Sequence, residues 1–326
     1  MNELALAAFA AETGSHLVAE PRTARFERFR REFDEPAYLS SLRDRGVRWL
    51  PRSAARFPPG LAAIFDPPPG LFVRGETDDG LLEHASVAIV GARSCSAYGA
   101  SVARKLGREL AAAGLVVVSG LARGVDGEAH RGAVEAGGAT VAVLGCGVDR
   151  VYPAAHAELA RRVTTCGLIV SEYAPGVEPA PWRFPARNRI IAGLAAATVV
   201  VEARERSGAL ITADLALEEG REVFAVPGEI TSALSAGTNA LLRNGATALT
   251  SPGDVLHAFG IAPAERQVAE LSPVAERVLR CLRDAPESAD VLARELSLDA
   301  AELAAALSEL ELLGLAEESA GTYRPA

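Results

Sequence analysis

The chain has 326 residues, 49% of them hydrophobic, 23% charged and 5% aromatic, with a formal net charge of −9. That apolar content excludes a disordered chain, and the length suits about two domains around a sizeable core. Pro, Gly, Arg or Glu interrupts every apolar run, which excludes a membrane-spanning helix, and the scattered Cys95, Cys146, Cys166 and Cys281 argue against a disulfide framework or a zinc site. The opening Met1-Asn2-Glu3 lacks the basic region of a secretory signal, so a reducing cytoplasm is the expected compartment.

Charge divides unevenly. Residues 1–83 hold 11 basic and 13 acidic side chains, residues 84–263 hold 16 of each, and residues 264–326 hold 6 basic and 13 acidic. No segment has the cationic excess that drives sequence-independent binding of nucleic acid, so an anionic polymer would have to be held in a local pocket. Lys105 is the only lysine, which leaves the other basic positions to the planar, forked guanidinium of arginine.

In chain order, residues 1–52 read as a small helical segment, with apolar stripes at Leu4, Leu6 and Phe9 and at Phe26, Phe29 and Phe33 and no strand signal. A Pro/Gly-rich run over 57–75 then delivers one extra strand at Leu71-Phe72-Val73. From residue 86 the rhythm becomes short, continuous β-branched runs at 87–90, 115–118, 140–144, 168–170, 198–201 and 222–226. Runs of that kind are strands covered on both faces, and helical stretches such as 97–113 and 126–136 separate them. The pattern predicts an α/β domain over 53–263, a doubly wound, extended Rossmann-like parallel sheet with ligands at the carboxyl ends of its strands. After Ala262-Pro263, helices at 273–283, 289–295 and 299–313 and a terminal hairpin predict a winged helix over 264–326. Its last helix carries Asp299, Glu302, Glu309 and Glu311 with no Arg or Lys, the wrong sign for a DNA recognition helix and better suited to protein contact or packing.

Standard nucleotide motifs are missing. Gly145-Cys146-Gly147-Val148-Asp149-Arg150 ends in Arg where a dinucleotide fingerprint needs Gly, and there is neither a P-loop nor an H-E-x-x-H pair. The five histidines are too scattered to suggest a metal site, so no catalytic residue, metal or cofactor is assigned. What stands out instead is a set of Gly-rich loops at predicted strand ends, several carrying arginine. Gly91-Ala92-Arg93-Ser94 precedes a helix led in by Ser96, an arrangement able to offer amides to a phosphate. Ser119-Gly120-Leu121-Ala122-Arg123-Gly124 ends in Asp126, a natural helix cap. Arg187-Asn188-Arg189 opens an apolar helix, where Asn188 could face a base edge and the arginines could sit on phosphates or stack on a base. Ser207-Gly208, with Thr212 beyond, forms a further anion nest, and Gly237-Thr238-Asn239 opens the last stretch. Several such loops on one sheet edge favour an extended, phosphate-bearing ligand.

Taken in order, Val90-Gly91-Ala92-Arg93, Ser119–Asp126, Gly147 with Asp149 and Tyr152-Pro153, Phe184-Pro185-x-Arg187-Asn188-Arg189-Ile190-Ile191, Ser207-Gly208-x-Leu210-Ile211-Thr212, Val226-Pro227-Gly228 and Gly237-Thr238-Asn239 resemble the DNA processing protein A family, from about residue 57 to 255. The resemblance implies a homodimeric, non-enzymatic protein that binds single-stranded DNA, protects it and helps load RecA during natural transformation. It makes Gly91, Arg93, Ser119, Gly120, Arg123, Arg187, Asn188, Arg189, Ser207, Gly208, Thr212 and Asn239 the candidate DNA contacts. Ala92 departs from the family's Gly-Ser-Arg by losing a hydroxyl, so only its backbone is expected to contribute. With few aromatic residues, binding is expected to lean on phosphates more than on stacking. The alternative is a Rossmann-like nucleotide or phosphoribosyl hydrolase, similar to the lysine-decarboxylase-like proteins; against it stand the Arg-Asn-Arg run and the lack of a P-G-G-x-G-T motif.

Overall fold

The computed structural model describes residues 3–14, 23–262, 271–319 and 321–325. The strands are β1 (Arg48–Pro51), β2 (Gly70–Arg74), β3 (Ser86–Val90), β4 (Val116–Ser119), β5 (Thr140–Val143), β6 (Leu168–Ser171), β7 (Ala197–Val200), β8 (Glu222–Ala225) and β9 (Thr247–Ala248). They form one nine-stranded sheet in the order β1-β2-β6-β5-β4-β3-β7-β8-β9. The pairs from β6 through β9 are parallel, while β1–β2 and β2–β6 are antiparallel. The chain winds outward from β3 to β6 and returns to lay β7 on the other side of β3. The expected doubly wound α/β architecture is therefore present, and its topological switch lies between β3 and β7.

Alternation along the strands explains why both faces read as apolar. In β4, Val116 and Val118 pack with Ile190, Ile191 and Leu194 of the Arg183–Leu194 helix, while Val117 packs the opposite way with Leu106 and Leu110 of the Ala97–Ala112 helix. The Ala97–Ala112 and Val125–Glu135 helices lie backbone to backbone: a Cβ on Gly132 would sit 2.0 Å from the Arg104 carbonyl oxygen. Only glycine permits that approach.

Residues 3–14 and 23–52 do not form a separate helical segment. The Glu3–Thr13, Ala24–Glu32 and Glu35–Asp44 helices pack Leu4, Leu6, Phe9 and Phe26 into one core with Phe72, Leu144 and Ile169 of the sheet. Residues 48–51, which carried no strand signal, become the edge strand β1, with the Trp49 ring 4.6 Å from that of Phe72. Their strand character comes from pairing with β2 rather than from local pattern.

Residues 264–326 form a second compact unit, and the boundary expected at 263/264 falls among residues 263–270, outside the described residues. Helices Pro273–Asp284, Ala289–Leu296 and Ala300–Leu312 enclose Val278, Leu282, Leu292, Leu303, Leu307 and Leu310. Strands β10 (Glu287–Ser288), β11 (Ala316–Ser319) and β12 (Thr322–Pro325) make the small sheet, so the unit is a winged helix. Within it Glu309 is engaged, accepting from the Ser272 backbone N–H and hydroxyl at 2.8 and 2.6 Å, while Glu302 and Glu311 stay exposed.

Behind the sheet edge, His130 is fully buried. Thr140 donates its hydroxyl proton to the Val117 carbonyl oxygen at 2.7 Å, so its oxygen accepts from His130 Nδ1–H, also at 2.7 Å. Nε2 is then unprotonated and has no partner. Burial, with the nearby His156 and Arg187, lowers the His130 pKa to about 3. An unfolded histidine titrates near ~6.5, so the unfolded chain takes up a proton that the folded one refuses. The stability due to neutral His130 is complete above about pH 6.5 and declines as pH falls toward 3, by up to about 1.4 kcal/mol per pH unit. Urea midpoints measured from pH 7.5 down to 5 should fall, and should fall less steeply in a folded His130→Gln variant; equal slopes would refute this assignment.

Candidate nucleic-acid interface

At the switch point, Gly91 immediately follows β3 and Glu202 lies two residues beyond β7. A Cβ on Gly91 would lie 2.6 Å from Val125 Cγ2 and 3.0 Å from the Glu202 carbonyl oxygen, so glycine is required by close approach. Ala92 N–H donates to that same carbonyl at 2.7 Å, fastening the two strand ends together. The start of the Ala97–Ala112 helix is not open to an anion. The buried Glu202 carboxylate accepts from Ser96 N–H at 2.9 Å and from its hydroxyl at 2.5 Å, and Ser96 Oγ accepts from Gly99 N–H. A side chain 106 positions away fills the first expected phosphate nest. The Gly208–Glu218 helix is the opposite case: its cap Ser207 makes no capping hydrogen bond, Ser207 Oγ is buried without a partner among the described residues, and Gly208 faces open space. That helix start is electrostatically suited to a phosphate.

Arg187 lies beneath the cleft, only 4% exposed. Its Nη1 donates to the Gly120 carbonyl oxygen at 3.0 Å and to that of Val143, and its Nε donates to Asn188 Oδ1 at 3.2 Å. Among the described residues Nη2 has no hydrogen-bond partner, and it lies beside Gly120, where a Cβ would come within 2.4 Å of it. Asp126 Oδ2, on the other side of Gly120, accepts from Gly120 N–H at 3.1 Å and Ala122 N–H at 3.4 Å. Burial pushes the Asp126 carboxyl up, and Arg187 with the two amides pulls it back. Burial lowers Arg187 to about 10, Asp126 opposing, so the guanidinium stays charged at neutral pH.

Two cavities open above this floor. The first, about 340 Å³, is bounded by Gly91, Arg93, Phe184, Arg187, Asn188, Ser207, Gly208 and Thr212. The second, about 500 Å³, is bounded by Arg93, Gly120, Arg123, Tyr152, Pro153, Phe184 and Arg187. Arg93, Ala122, Phe184 and Arg187 belong to both. Exposed Arg93 and Arg123 form no ion pair among the described residues, so their charge is available to a ligand. Arg93 caps the Phe184 ring at 5.0 Å, and Phe184 stacks on Tyr152 at 5.4 Å and 28°. This aromatic platform was not foreseen. Its signal was present in the Tyr152-Pro153 and Phe184-Pro185 motifs, 32 positions apart in sequence. A larger hollow of about 840 Å³ lies among the N-terminal helices, but Glu12, Glu32 and Asp34 line it, against Arg45 alone, which is unfavourable for a polyanion.

Not every expected residue faces the cavities. Arg189 turns away: its Nη1 and Nη2 hold both oxygens of buried Glu172 at 2.7 Å, and its Nε holds Asp66 Oδ2 at 3.0 Å. It is an internal ion pair, not a phosphate contact. Asn188 lines the first cavity but is also a brace, accepting from Arg187 and donating one of its two Nδ2 protons to the Gly208 carbonyl oxygen at 3.0 Å. Ser119 is fully buried, its hydroxyl on the Ile89 carbonyl oxygen at 2.6 Å. Asn239 is tied to Gly228 through both ends of its amide. Thr212 reaches the cavity wall with its hydroxyl 3.5 Å from the Gly208 carbonyl oxygen.

Residues 48–260 match the model of the family described as DNA recombination-mediator protein A, and residues 262–322 match the DprA winged helix domain. The chain belongs to this family. It is 47% identical over 203 residues to DNA processing protein DprA of Streptococcus pneumoniae, a match covering 62% of this chain and 71% of that one. Over 289 residues it is 38% identical to Protein Smf of Escherichia coli, covering 84% and 76% respectively. Among solved structures, DNA processing protein A of Streptococcus pneumoniae superposes with a TM-score of 0.67 at 39% identity, over 78% of this chain and 91% of that one. DNA processing protein A of Helicobacter pylori, whose single-stranded DNA binding mode its structure describes, superposes at 0.59 and 31% identity, over 65% and 95%. No helix among the described residues is long and apolar enough to cross a membrane.

The Arg189 assignment is checked by removing its partner. Glu172→Ala leaves a mostly buried guanidinium with Asp66 alone, and should lower stability by about 3 kcal/mol in urea unfolding. A loss below about 0.5 kcal/mol, as for an exposed pair, would show that Arg189 is free to serve elsewhere.

Proposed function

We propose that this chain binds single-stranded DNA as a non-enzymatic recombination mediator. The observation that carries this reading is the pair of adjoining cavities sharing Arg93, Phe184 and Arg187, one beneath an open helix start and the other beside an aromatic stack. A phosphate fits the first, with the Gly208–Glu218 helix start, unpartnered Ser207 Oγ and Arg93 as donors and Arg187 supplying charge from below. A splayed base fits the second, stacked on the Tyr152–Phe184 platform, a contact worth about 1–3 kcal/mol per base. Flexible single strands can place base and phosphate in neighbouring hollows, whereas a stacked duplex keeps its bases out of reach. The same reading, following the family resemblance, includes a homodimer, protection of incoming strands and transfer to RecA in the cytoplasm during natural transformation.

The hydrolase alternative would use the phosphate nest for a nucleoside monophosphate. Asp126, the carboxylate that lines the same cavity, is already held by two backbone amides and the Arg187 charge, an arrangement that fixes a loop rather than one that activates water. Oligo(dT) binding followed by fluorescence anisotropy across a salt series tests the proposal. Arg93→Ala should weaken binding and flatten the log affinity against log salt slope by about 0.7, one single-strand phosphate contact. Unchanged affinity and slope would remove Arg93 from the interface, and release of free base from nucleoside monophosphates would favour the hydrolase.

A further inference from the structure

The second cavity has two walls that come from separate parts of the chain. One is the loop after β4, which contributes Gly120, Ala122 and Arg123; the other is the turn that contributes Tyr152, Pro153 and Ala154. Immediately beyond that turn, His156 points back into the molecule with only 6% of its surface exposed. Its Nδ1 lies 2.9 Å from the Leu121 carbonyl oxygen, in the middle of the opposite wall. A carbonyl can only accept, so Nδ1 carries the proton and donates. Leu121 is one of two non-glycine residues with positive φ among the described residues, at +56°, and its side chain is fully buried beside Leu144 and Leu159. A bulky residue persists in that conformation only where its surroundings over-determine it. Here the core holds the side chain and His156 holds the carbonyl. The ring also packs against the helix that follows: a Cβ on Gly127 would lie 2.7 Å from His156 Cε1.

Building on the proposed binding of single-stranded DNA, we propose that His156 is a positioning residue for that ligand. Its buried imidazole ties the Leu121 loop to the Tyr152 turn and so fixes the opening of the cavity in which a base stacks. His156 does not touch the strand. It acts through Gly120 and Ala122 on one side and Tyr152 on the other, and leaves the charged groups, Arg123 and the phosphate nest at Ser207-Gly208, unaffected.

The test compares wild type, His156→Asn and His156→Leu with an oligo(dT) strand carrying one 2-aminopurine, reading affinity, salt slope and the fluorescence quenching that reports base stacking. Asparagine keeps an N–H donor near the position of Nδ1, whereas leucine fills the volume without one. His156→Leu should bind about ten-fold more weakly, with reduced quenching and an unchanged salt slope, and His156→Asn should restore both affinity and quenching. A purely structural role would lower the melting temperature without separating quenching from salt slope. The inference is overturned if folded His156→Leu binds and quenches like wild type, or if folded His156→Asn fails as His156→Leu does. Should the leucine variant not fold, ¹⁵N imidazole spectra of wild type decide: the neutral ring is expected as its Nδ1–H tautomer, and an Nε2–H tautomer overturns the proposal. A wild type that does not bind oligo(dT) rejects the DNA reading and this inference with it; binding that is indifferent to His156 rejects this inference alone.

Discussion

A charged guanidinium beneath a cleft must be satisfied before anything can be built above it. Arg187 meets that requirement with two backbone carbonyls, the Asn188 amide oxygen and the charge of Asp126. An uncompensated charge in that position would cost several kcal/mol. Each partner belongs to a different element: Gly120 follows β4, Val143 ends β5, Asp126 opens the Val125–Glu135 helix, and Asn188 reaches on to Gly208. One side chain thereby fixes the relative heights of the loops that form both cavities. Gly120 is confined to glycine because the guanidinium and the carboxylate close on it from two sides.

The electrostatics follow a consistent division of labour. The chain is acidic overall, at −9, so a general field would keep a polyanion away. Attraction has to be local, and it is produced by leaving particular arginines without carboxylates while neutralising others. Arg189 is closed off by Glu172 and Asp66, and Arg48 is paired with Asp79; Arg93 and Arg123 are left open at the cavity rims. The open start of the Gly208–Glu218 helix adds partial positive charge that no count of residues records. The closed start of the Ala97–Ala112 helix shows the same physics used internally, with Glu202 in the place an anion would take.

Much of the scaffold was legible from pattern. The runs at 87–90 and 222–226 became β3 and β8, and the helices expected at 97–113 and 273–283 became Ala97–Ala112 and Pro273–Asp284. Such elements announce themselves because burial on both faces selects uninterrupted β-branched residues, and a 3.6-residue period selects amphipathic helices. Residues 48–51 did not, since an edge strand ending in Pro51 owes its structure to β2. Of the candidate residues, Gly91, Arg93, Gly120, Arg123, Arg187, Asn188, Ser207, Gly208 and Thr212 line the two cavities. Arg189, Ser119 and Asn239 carry the right chemistry but direct it inward, because each finds an internal partner that its sequence neighbours do not reveal.

Local pattern along the chain set most of the strands and helices, though not β1, together with the acidity of the winged helix and the clustering of glycine and arginine at strand ends. Those properties depend on local stereochemistry and on periodicity along the chain. Only the tertiary structure decided which guanidinium is free and which is sealed, which helix start is open, and that Tyr152 meets Phe184. Each of those outcomes is a contact between residues tens of positions apart, set by the order in which β3 to β7 lie side by side, and charge pairing in a folded interior depends on distance in space rather than on distance along the chain.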